Sequence, residues 1–535
     1  MKKAKTLIAL FLCCVMLLSL MACGTKNNDT PDQPGNSQAG TNNPGSGDKE
    51  NSNSATGKDE LRIVISQDSG TLDPAANNGW DCLQALRMIY EPLWEITDSN
   101  EINFVLATGI DVISPTKWHV HLREGVTFQN GNPFTADDVL FTITRANTRT
   151  GASALLPKVL HEECSKIDDY TVEIVFDSYR VGLMQDTWSS ILIQDAESFD
   201  ENTISSETNG TGPYEISDLV INSQWTLTRR DNYWGDPAPF KTLIFQILTE
   251  DTQKVNALET GAVDICSVPF QDIAYVESLP NVNVLLRYDG QTRTIYFNLD
   301  EHTPFHNNED ARKAVALAVD QQAVINIAYS GYAVPSRLPV AQGKFDQVDS
   351  FLDLGVYKSG QNLEEAKRLA ESSGLAGKEI TVINNGSADA MATCELIQDN
   401  LKKIGVTCKI WTLDAGSWKT VIYDAQADWD FSVDFTMGSS VVRGYDMWSN
   451  LGGGKSYADN DWRGKDRFYE LKPIALEEPD DAIRTPMVQE LTEILTDSLI
   501  WYSICDKQQA IAYNKDLKNF QQRSDGYVVY TNLSW

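Results

Sequence analysis

The spacing of apolar residues divides this chain into three unequal stretches. Residues 8–20 are an almost unbroken apolar run behind Lys2, Lys3 and Lys5. Residues 24–57 are Asn, Gly, Ser, Asp, Thr and Pro-rich, with no Val, Leu, Ile, Met or aromatic residue. From Leu61 onward two periods alternate. Period-two patterns predict strands at 61–66, 118–122, 172–176, 225–229, 379–383 and 406–410. Helical spacing predicts helices at 83–90, 136–145 and 254–259, the last closed by Gly261. Val315, Ala318, Val319 and Ile325 form one helical stripe over Asp310–Tyr329. Asn362 caps a helix ending near Gly374, and Cys394, Ile397, Leu401 and Ile404 line a helix over 391–404 that stops at Gly405. Strand, helix and strand over 379–410 make a βαβ unit, which places Cys394 on the core face of its helix and Cys408 on the sheet. The Thr135-Ala136-Asp137-Asp138 sequence is a capping box for the 136–145 helix. The pattern is α/β with mixed sheets.

The leading stretch has the anatomy of an export signal. A basic segment precedes an apolar run too short to span a bilayer comfortably, and Ala22 stands before Cys23. The tetrad Leu20-Met21-Ala22-Cys23 resembles the lipobox of bacterial lipoproteins. That resemblance implies cleavage after residue 22, a lipid on Cys23, and anchoring at the outer face of the cell membrane. Residues 1–22 are then a signal peptide and 23–57 a lipidated cysteine with a flexible linker, since this composition cannot bury enough apolar surface to order itself. Chemistry that draws on cytosolic ATP or NAD is excluded on the same ground. No later run approaches ~18 consecutive apolar residues.

With 44 basic and 75 acidic residues the net charge is −31, and removing Lys2, Lys3 and Lys5 deepens it to −34. This argues against nucleic acid and against docking on anionic lipid. Roughly 475 residues follow the linker, enough for two or three domains. Six cysteines lie beyond the leader (Cys82, Cys164, Cys266, Cys394, Cys408 and Cys505). None forms a CxxC pair, and buried thiols are expected, with Cys394 and Cys408 the best-placed pair. Catalytic motifs are missing: there is neither G-x-S-x-G nor H-E-x-x-H. Gly454-Lys455-Ser456 lacks the leading glycine of a phosphate loop, and Arg463 spoils the partial calcium loop of Asp459, Asp461, Gly464 and Glu470. His119 and His121 share a strand face but lack further ligands nearby in sequence. No enzyme activity, cofactor or metal is expected.

Residues 118–145, WHVHLREGVTFQNGNPFTADDVLFTITR, closely resemble the signature of the extracellular solute-binding proteins that serve peptide and nickel ABC importers. Further family-like segments follow in order. They are Leu72-Asp73-Pro74, Tyr90-Glu91-Pro92-Leu93, Gly210-Thr211-Gly212-Pro213-Tyr214, Asn232-Tyr233-Trp234-Gly235, the 257–265 segment ALETGAVDI, Phe297-Asn298, and Ala311-Arg312-Lys313-Ala314 leading to Asp320. The resemblance covers residues 60–535. It implies a two-lobed periplasmic-binding-protein-like fold with mixed sheets, a hinge and an extra β-rich subdomain. Lobe I would comprise 60–95, 205–295 and 506–535, its added subdomain 96–204, and lobe II 296–505. A monomer clamping its ligand between lobes and handing it to ABC permease subunits is the implied function.

Within that family a loop after the Leu-Asp-Pro motif and a lobe II segment pair with the backbone of a bound peptide, and a lobe II aspartate takes its α-ammonium. By resemblance the matching residues here are Asn78, Gly79 and Trp80 in the first segment, and Asp434, Phe435, Arg443, Tyr445, Asp446 and Trp448 in the second. Trp418 is a further stacking surface. Asp434 and Asp446 are alternative ammonium anchors, because the expected Ala-Asp-Tyr-x-Asp-Pro-like stretch is replaced by Val433-Asp434-Phe435 and, later, Gly444-Tyr445-Asp446-Met447. Arg443 is a candidate for a ligand carboxylate. A short peptide is the leading ligand; an oligosaccharide, a nickel chelate, or use of the fold as an extracellular sensor are the alternatives.

Overall fold

The computed structural model describes residues 59–535 apart from 76–79, 100, 149–158, 187–190, 345, 425–426, 437, 439 and 452–453. The signal, Cys23 and the linker lie outside the described residues, as do Asn78 and Gly79. Among the described residues no helix is long and apolar enough to cross a membrane.

Along the chain, β1 (Glu60–Ile65) is followed by a hairpin of β2 (Trp94–Ile96) and β3 (Ile102–Phe104). Next come β4 (Ala107–Ser114), β5 (Lys117–Leu122), β6 (Ser165–Asp168) and β7 (Thr171–Val175), which form a separate sheet in the order β4-β5-β7-β6. Then follow β8 (Tyr214–Val220), β9 (Gln224–Arg229), β10 (Thr242–Ile247), β11 (Ile265–Val268) and β12 (Val282–Phe297). The last are β13 (Ala333–Pro335), β14 (Glu379–Asn384), β15 (Thr407–Thr412), β16 (Phe431–Thr436) and β17 (Trp501–Asn514). The main sheet runs β15-β14-β16-β12-β17-β11-β1-β10-β9-β8, with β13 added on β17. It is mixed: β1 is parallel to β10 and β11, β14 is parallel to β15 and β16, and the remaining pairs are antiparallel. β1 reads LRIVI because parallel strands are covered on both faces.

Two long strands, β12 and β17, run through the middle of this sheet. Their ladder pairs 282–288 with 508–514, breaks between Tyr288 and Thr292, and resumes from Thr292↔Asp506 to Tyr296↔Trp501. Gly290 sits at the break with φ +74, a left-handed conformation that glycine takes without strain. One half of the sheet packs over Leu61, Ile63, Trp225, Phe245 and Leu533, the other over Ile295, Phe297, Val382, Phe431 and Ile504. The β4–β7 sheet has its own core around Trp118, Val120, Phe128, Val139 and Ile174.

The 379–412 segment forms the expected βαβ unit, with β14 and β15 in parallel register and the helix Ala388–Lys403 between them. Cys394 and Cys408 are both buried and unbonded, and burial pushes each thiol up to about 12. Two local expectations need correction. The Asp310–Tyr329 stripe is two helices, Glu309–Ala318 and Gln321–Ala328. Val319 turns extended, and the Asp320 carboxylate accepts the Ala323 amide at 2.9 Å. The apolar stripe hides this break because both helices pack on one core, while the N-cap signal of Asp320 decides it. At the other site Asp138 does accept the Thr135 amide at 2.8 Å, as a capping box requires. The Thr135 hydroxyl, however, turns to the same carboxylate at 3.4 Å rather than to a helix amide.

Several of the family-like segments prove to be ties between elements. Gly210 and Gly212 press against the end of the Trp80–Ile89 helix, where a Cβ would lie 2.0 Å from the Ile89 carbonyl oxygen and 2.6 Å from that of Met88. Arg230 donates to the Gly212 carbonyl at 2.9 Å and the Phe128 carbonyl at 3.1 Å. Arg312 donates twice to the Ser498 carbonyl, at 2.9 and 2.8 Å, closing the C-terminus of the Asp481–Ser498 helix. Glu91 accepts from Tyr233 Oη at 2.6 Å and Trp234 Nε1 at 2.9 Å, and burial raises its carboxyl to about 7 despite these donors. A carboxyl raised in the folded state stabilises fully below its unfolded value of 4.5, and that contribution is lost as pH rises through about 7. The protein should therefore gain stability between pH 8 and pH 5. Glu91→Gln should remove on the order of 3 kcal/mol of that gain. Thermal unfolding of both proteins across this range checks it, and equal pH slopes would refute the assignment.

Candidate functional site

β14, β15 and β16 are parallel, so their carboxyl ends point the same way, and in such sheets ligands lie beyond those ends. The turn after β14 is built by Asn385, Gly386 and Ser387. Gly386 has φ +79, and a Cβ there would lie 2.9 Å from the Leu413 carbonyl oxygen that follows β15. The turn feeds the Ala388–Lys403 helix, whose first turn carries Asp389.

Four charged groups from separate stretches of chain meet here. Arg293 lies on β12 opposite Phe435, and Asp434 lies on β16 opposite Thr294. Arg293 is 2 % exposed; its Nη2 pairs with Asp389 and its Nε donates to Tyr329 Oη at 2.8 Å. Tyr329 in turn donates to Asp389 at 3.1 Å. Asn385 Nδ2 donates to Asp434 Oδ1 at 3.4 Å, so the one 385–389 turn touches both Asp434 and the partner of Arg293. The Arg293 guanidinium and the Lys507 ammonium lie 5.8 and 5.5 Å from the Phe435 ring centre. The other half of the molecule reaches this cluster through Phe270, whose ring meets Tyr329 edge-on at 5.2 Å.

Burial decides the charge states. It pushes Asp434, only 3 % exposed, up to about 7, with Arg293 opposing. Asp389 experiences burial too, but its contact with Arg293 wins and holds it at about 2. Burial alone would lower Arg293; Tyr329 and Asp389 reverse this and raise it. The unliganded cluster thus holds one settled ion pair, Arg293–Asp389, beside a carboxyl poised near neutrality.

The residues singled out from sequence fall in different places. Asp434 and half-buried Phe435 lie in the cluster. Trp418 is half-buried nearby, its Nε1 donating to Ser432 Oγ at 3.2 Å on the same strand as Asp434. Trp448 is 8 % exposed and stacks on Tyr296 at 5.3 Å. Tyr445 is fully buried, with its hydroxyl 2.8 Å from Thr492 Oγ1, which makes it a core residue of the helical layer. Asp446 is occupied by Arg443 at 2.8 Å and Lys472 at 3.2 Å, so the two candidate anchors differ: Asp446 has two cationic partners on neighbouring helical turns. Trp80 opens the Trp80–Ile89 helix, and its side chain lies outside the described residues. Sequence reasoning missed Arg293, Tyr329, Asp389 and Lys507. The one signal was a charged residue inside the strand-like run Thr292-Arg293-Thr294-Ile295-Tyr296-Phe297. His119 and His121 pair across strands with Glu173 at 3.0 Å and Asp111 at 2.8 Å.

The profile of the family described as bacterial extracellular solute-binding proteins, family 5 Middle, matches residues 101–457. The glutathione-binding protein GsiB of Salmonella typhimurium is 22% identical over 483 residues, covering 86% of this chain and 91% of that protein. The probable D,D-dipeptide-binding periplasmic protein DdpA of Escherichia coli is 24% identical over 499 residues, covering 87% and 92%. Among solved structures, the ABC transporter substrate-binding protein CtaP of Listeria monocytogenes superposes with a TM-score of 0.78 at 20% identity, covering 89% of this chain and 99% of that one. The fold is therefore that of the two-lobed periplasmic binding proteins. The chain belongs to the family 5 bacterial extracellular solute-binding proteins, and it is a peptide/nickel-type binding protein of ABC importers rather than an enzyme.

Proposed function

We propose that this protein captures short peptides between two lobes and delivers them to an ABC permease, tethered to the outer face of the membrane by lipid on Cys23. In this reading residues 60–95, 205–295 and 506–535 form lobe I with 96–204 as its subdomain, residues 296–505 form lobe II, and β12 and β17 are the connection that bends. The observation that carries the reading is Asp434. It is an acid buried at the carboxyl ends of parallel strands, beside the crossing strands, with a neutral amide as its direct hydrogen-bond partner. A buried carboxylate of this kind gains most from an incoming ammonium, which supplies the charge-assisted hydrogen bonds it lacks. Asp434 is thus favoured over Asp446, whose carboxylate already has Arg443 and Lys472. The names of the relatives, which bind glutathione and D,D-dipeptides, support the same class of solute.

Native mass spectrometry of the purified protein, before and after mild denaturation and refolding, tests this. Release of a ladder of short-peptide masses is the expected result. Release of hexose-spaced masses or of a metal chelate would overturn it.

A further inference from the structure

Arg293 is incompletely used. Its Nε serves Tyr329 and its Nη2 serves Asp389, but among the described residues nothing accepts from Nη1, although the side chain is 2 % exposed. The Thr436 hydroxyl, on the strand paired with β12, is likewise buried without a partner. A buried guanidinium N–H left unpaired carries a desolvation cost of about 1–3 kcal/mol or more, the charged case being the larger. Unpaired donors at a structural ion pair are usually satisfied by the fold itself; here the fold satisfies two edges of the guanidinium and leaves the third. The free edge lies at the junction of the two halves, since Tyr329, which holds Nε, is packed by Phe270 from across the junction. Separation of the halves would uncover it.

The position of that edge relative to Asp434 is the informative part. Arg293 and Asp434 are diagonal neighbours on paired strands, and the single turn 385–389 contacts both through Asn385 and Asp389. We propose that Arg293 Nη1 receives a carboxylate of the bound solute next to the Asp434 that takes its ammonium, so that the site selects an α-amino-acid head group with both charges on one carbon. This rests on the peptide-binding reading above and narrows it. An ordinary α-linked peptide has converted the carboxyl group of its first residue to an amide, and it offers that position only a neutral carbonyl oxygen. A peptide joined through its first side chain keeps the free carboxylate there. Carboxylate on guanidinium is a strong, geometrically demanding pair, and lysine cannot imitate the second terminal nitrogen.

The dipeptides γ-Glu-Gly and α-Glu-Gly separate the cases, because they share composition and charge and differ only in whether the ammonium-bearing carbon keeps its carboxylate. Calorimetric titration of the purified protein should show γ-Glu-Gly bound at least tenfold more tightly. Arg293→Lys can still pair with Asp389 but lacks the free N–H, and it should lose that preference while retaining its melting temperature within a few degrees. The preference of the unsubstituted protein is decisive even where the variant folds poorly. Equal binding of the isomers, preference for the α isomer, or capture of an α-linked tripeptide mixture but neither isomer would each overturn this inference and leave the peptide reading standing. A preference that survives in Arg293→Lys would overturn the role of Arg293. Failure to bind either isomer or the α-linked mixture would overturn the peptide reading itself, and this inference with it.

Discussion

Replacing Asp434 with asparagine should weaken capture of ammonium-bearing peptides by about 2–5 kcal/mol, roughly thirtyfold to several-thousandfold in Kd. The reason is positional. Asp434 is 3 % exposed, and Asn385 alone among the described side chains donates to it. An ammonium bound there would lose its water and receive a neutral amide oxygen in exchange. The same burial gives the wild-type protein a distinctive pH profile. Its carboxyl sits at about 7 in the unliganded state, so below that value it must shed a proton before accepting the ligand. Affinity should be flat above about pH 7.5 and fall nearly tenfold per unit below pH 7. Stability runs the opposite way. A carboxyl raised in the folded state stabilises at low pH and costs stability as pH rises through 7, so Asp434→Asn should be no less stable than wild type at pH 8. Titrations at pH 5.5, 6.5 and 8 with both proteins check the pair of effects. A Kd that changes less than threefold on substitution, with a flat pH profile, would remove Asp434 from the site.

The parts of this molecule legible in sequence are those governed by neighbours along the chain. The βαβ unit over 379–412, the Asn362 cap and the Gly261 stop follow from local periodicity and turn chemistry. Arg293, Asp389 and Asp434 were not legible as a group. They lie on a central strand, a helix start and a second strand, and they meet only because β16 pairs with β12 in one register. Tyr445 illustrates the converse. It lies close in sequence to Asp434, yet the intervening turn into the Val441–Leu451 helix sends it to the core against Thr492. Asp446 fails as a free anion for a similar reason: helical spacing brings Arg443 beside it, and packing of the Lys465–Glu477 helix adds Lys472. The short family-like segments were legible as a set without their reasons being legible. Gly210 and Gly212 are explained by the Ile89 and Met88 carbonyls they touch, and Glu91 by Tyr233 and Trp234, contacts between segments over a hundred residues apart.

Arg145→Ala should cost about 3–5 kcal/mol of folding stability, more than the loss of any pair of surface charges in this molecule. Arg145 ends the signature segment and Asp73 is the acid of the Leu-Asp-Pro motif. Their side chains form a two-pronged pair, Nη1 to Oδ1 and Nη2 to Oδ2, both at 2.6 Å. Both residues are buried, Arg145 at 6 % and Asp73 at 3 % exposure. The guanidinium also donates to Gln194 Oε1 at 2.9 Å and lies 4.5 Å from the Phe199 ring centre, while Asp73 accepts the Ala75 amide at 3.0 Å. Truncating the cation deprives a buried carboxylate of its charged partner and strands an amide oxygen, which is why the cost exceeds that of a surface pair. Arg145→Lys should fall between, since a single ammonium cannot occupy both carboxylate oxygens in the plane of the fork. The double change Arg145→Met with Asp73→Leu should be far less damaging than the sum of its parts, because no buried charge is left behind. Denaturant unfolding, with midpoint and slope measured for wild type, Arg145→Ala, Arg145→Lys and the double variant, separates these outcomes. A loss below 1 kcal/mol for Arg145→Ala would mean that water replaces the guanidinium, and that the two sequence segments are held together by their apolar contacts instead.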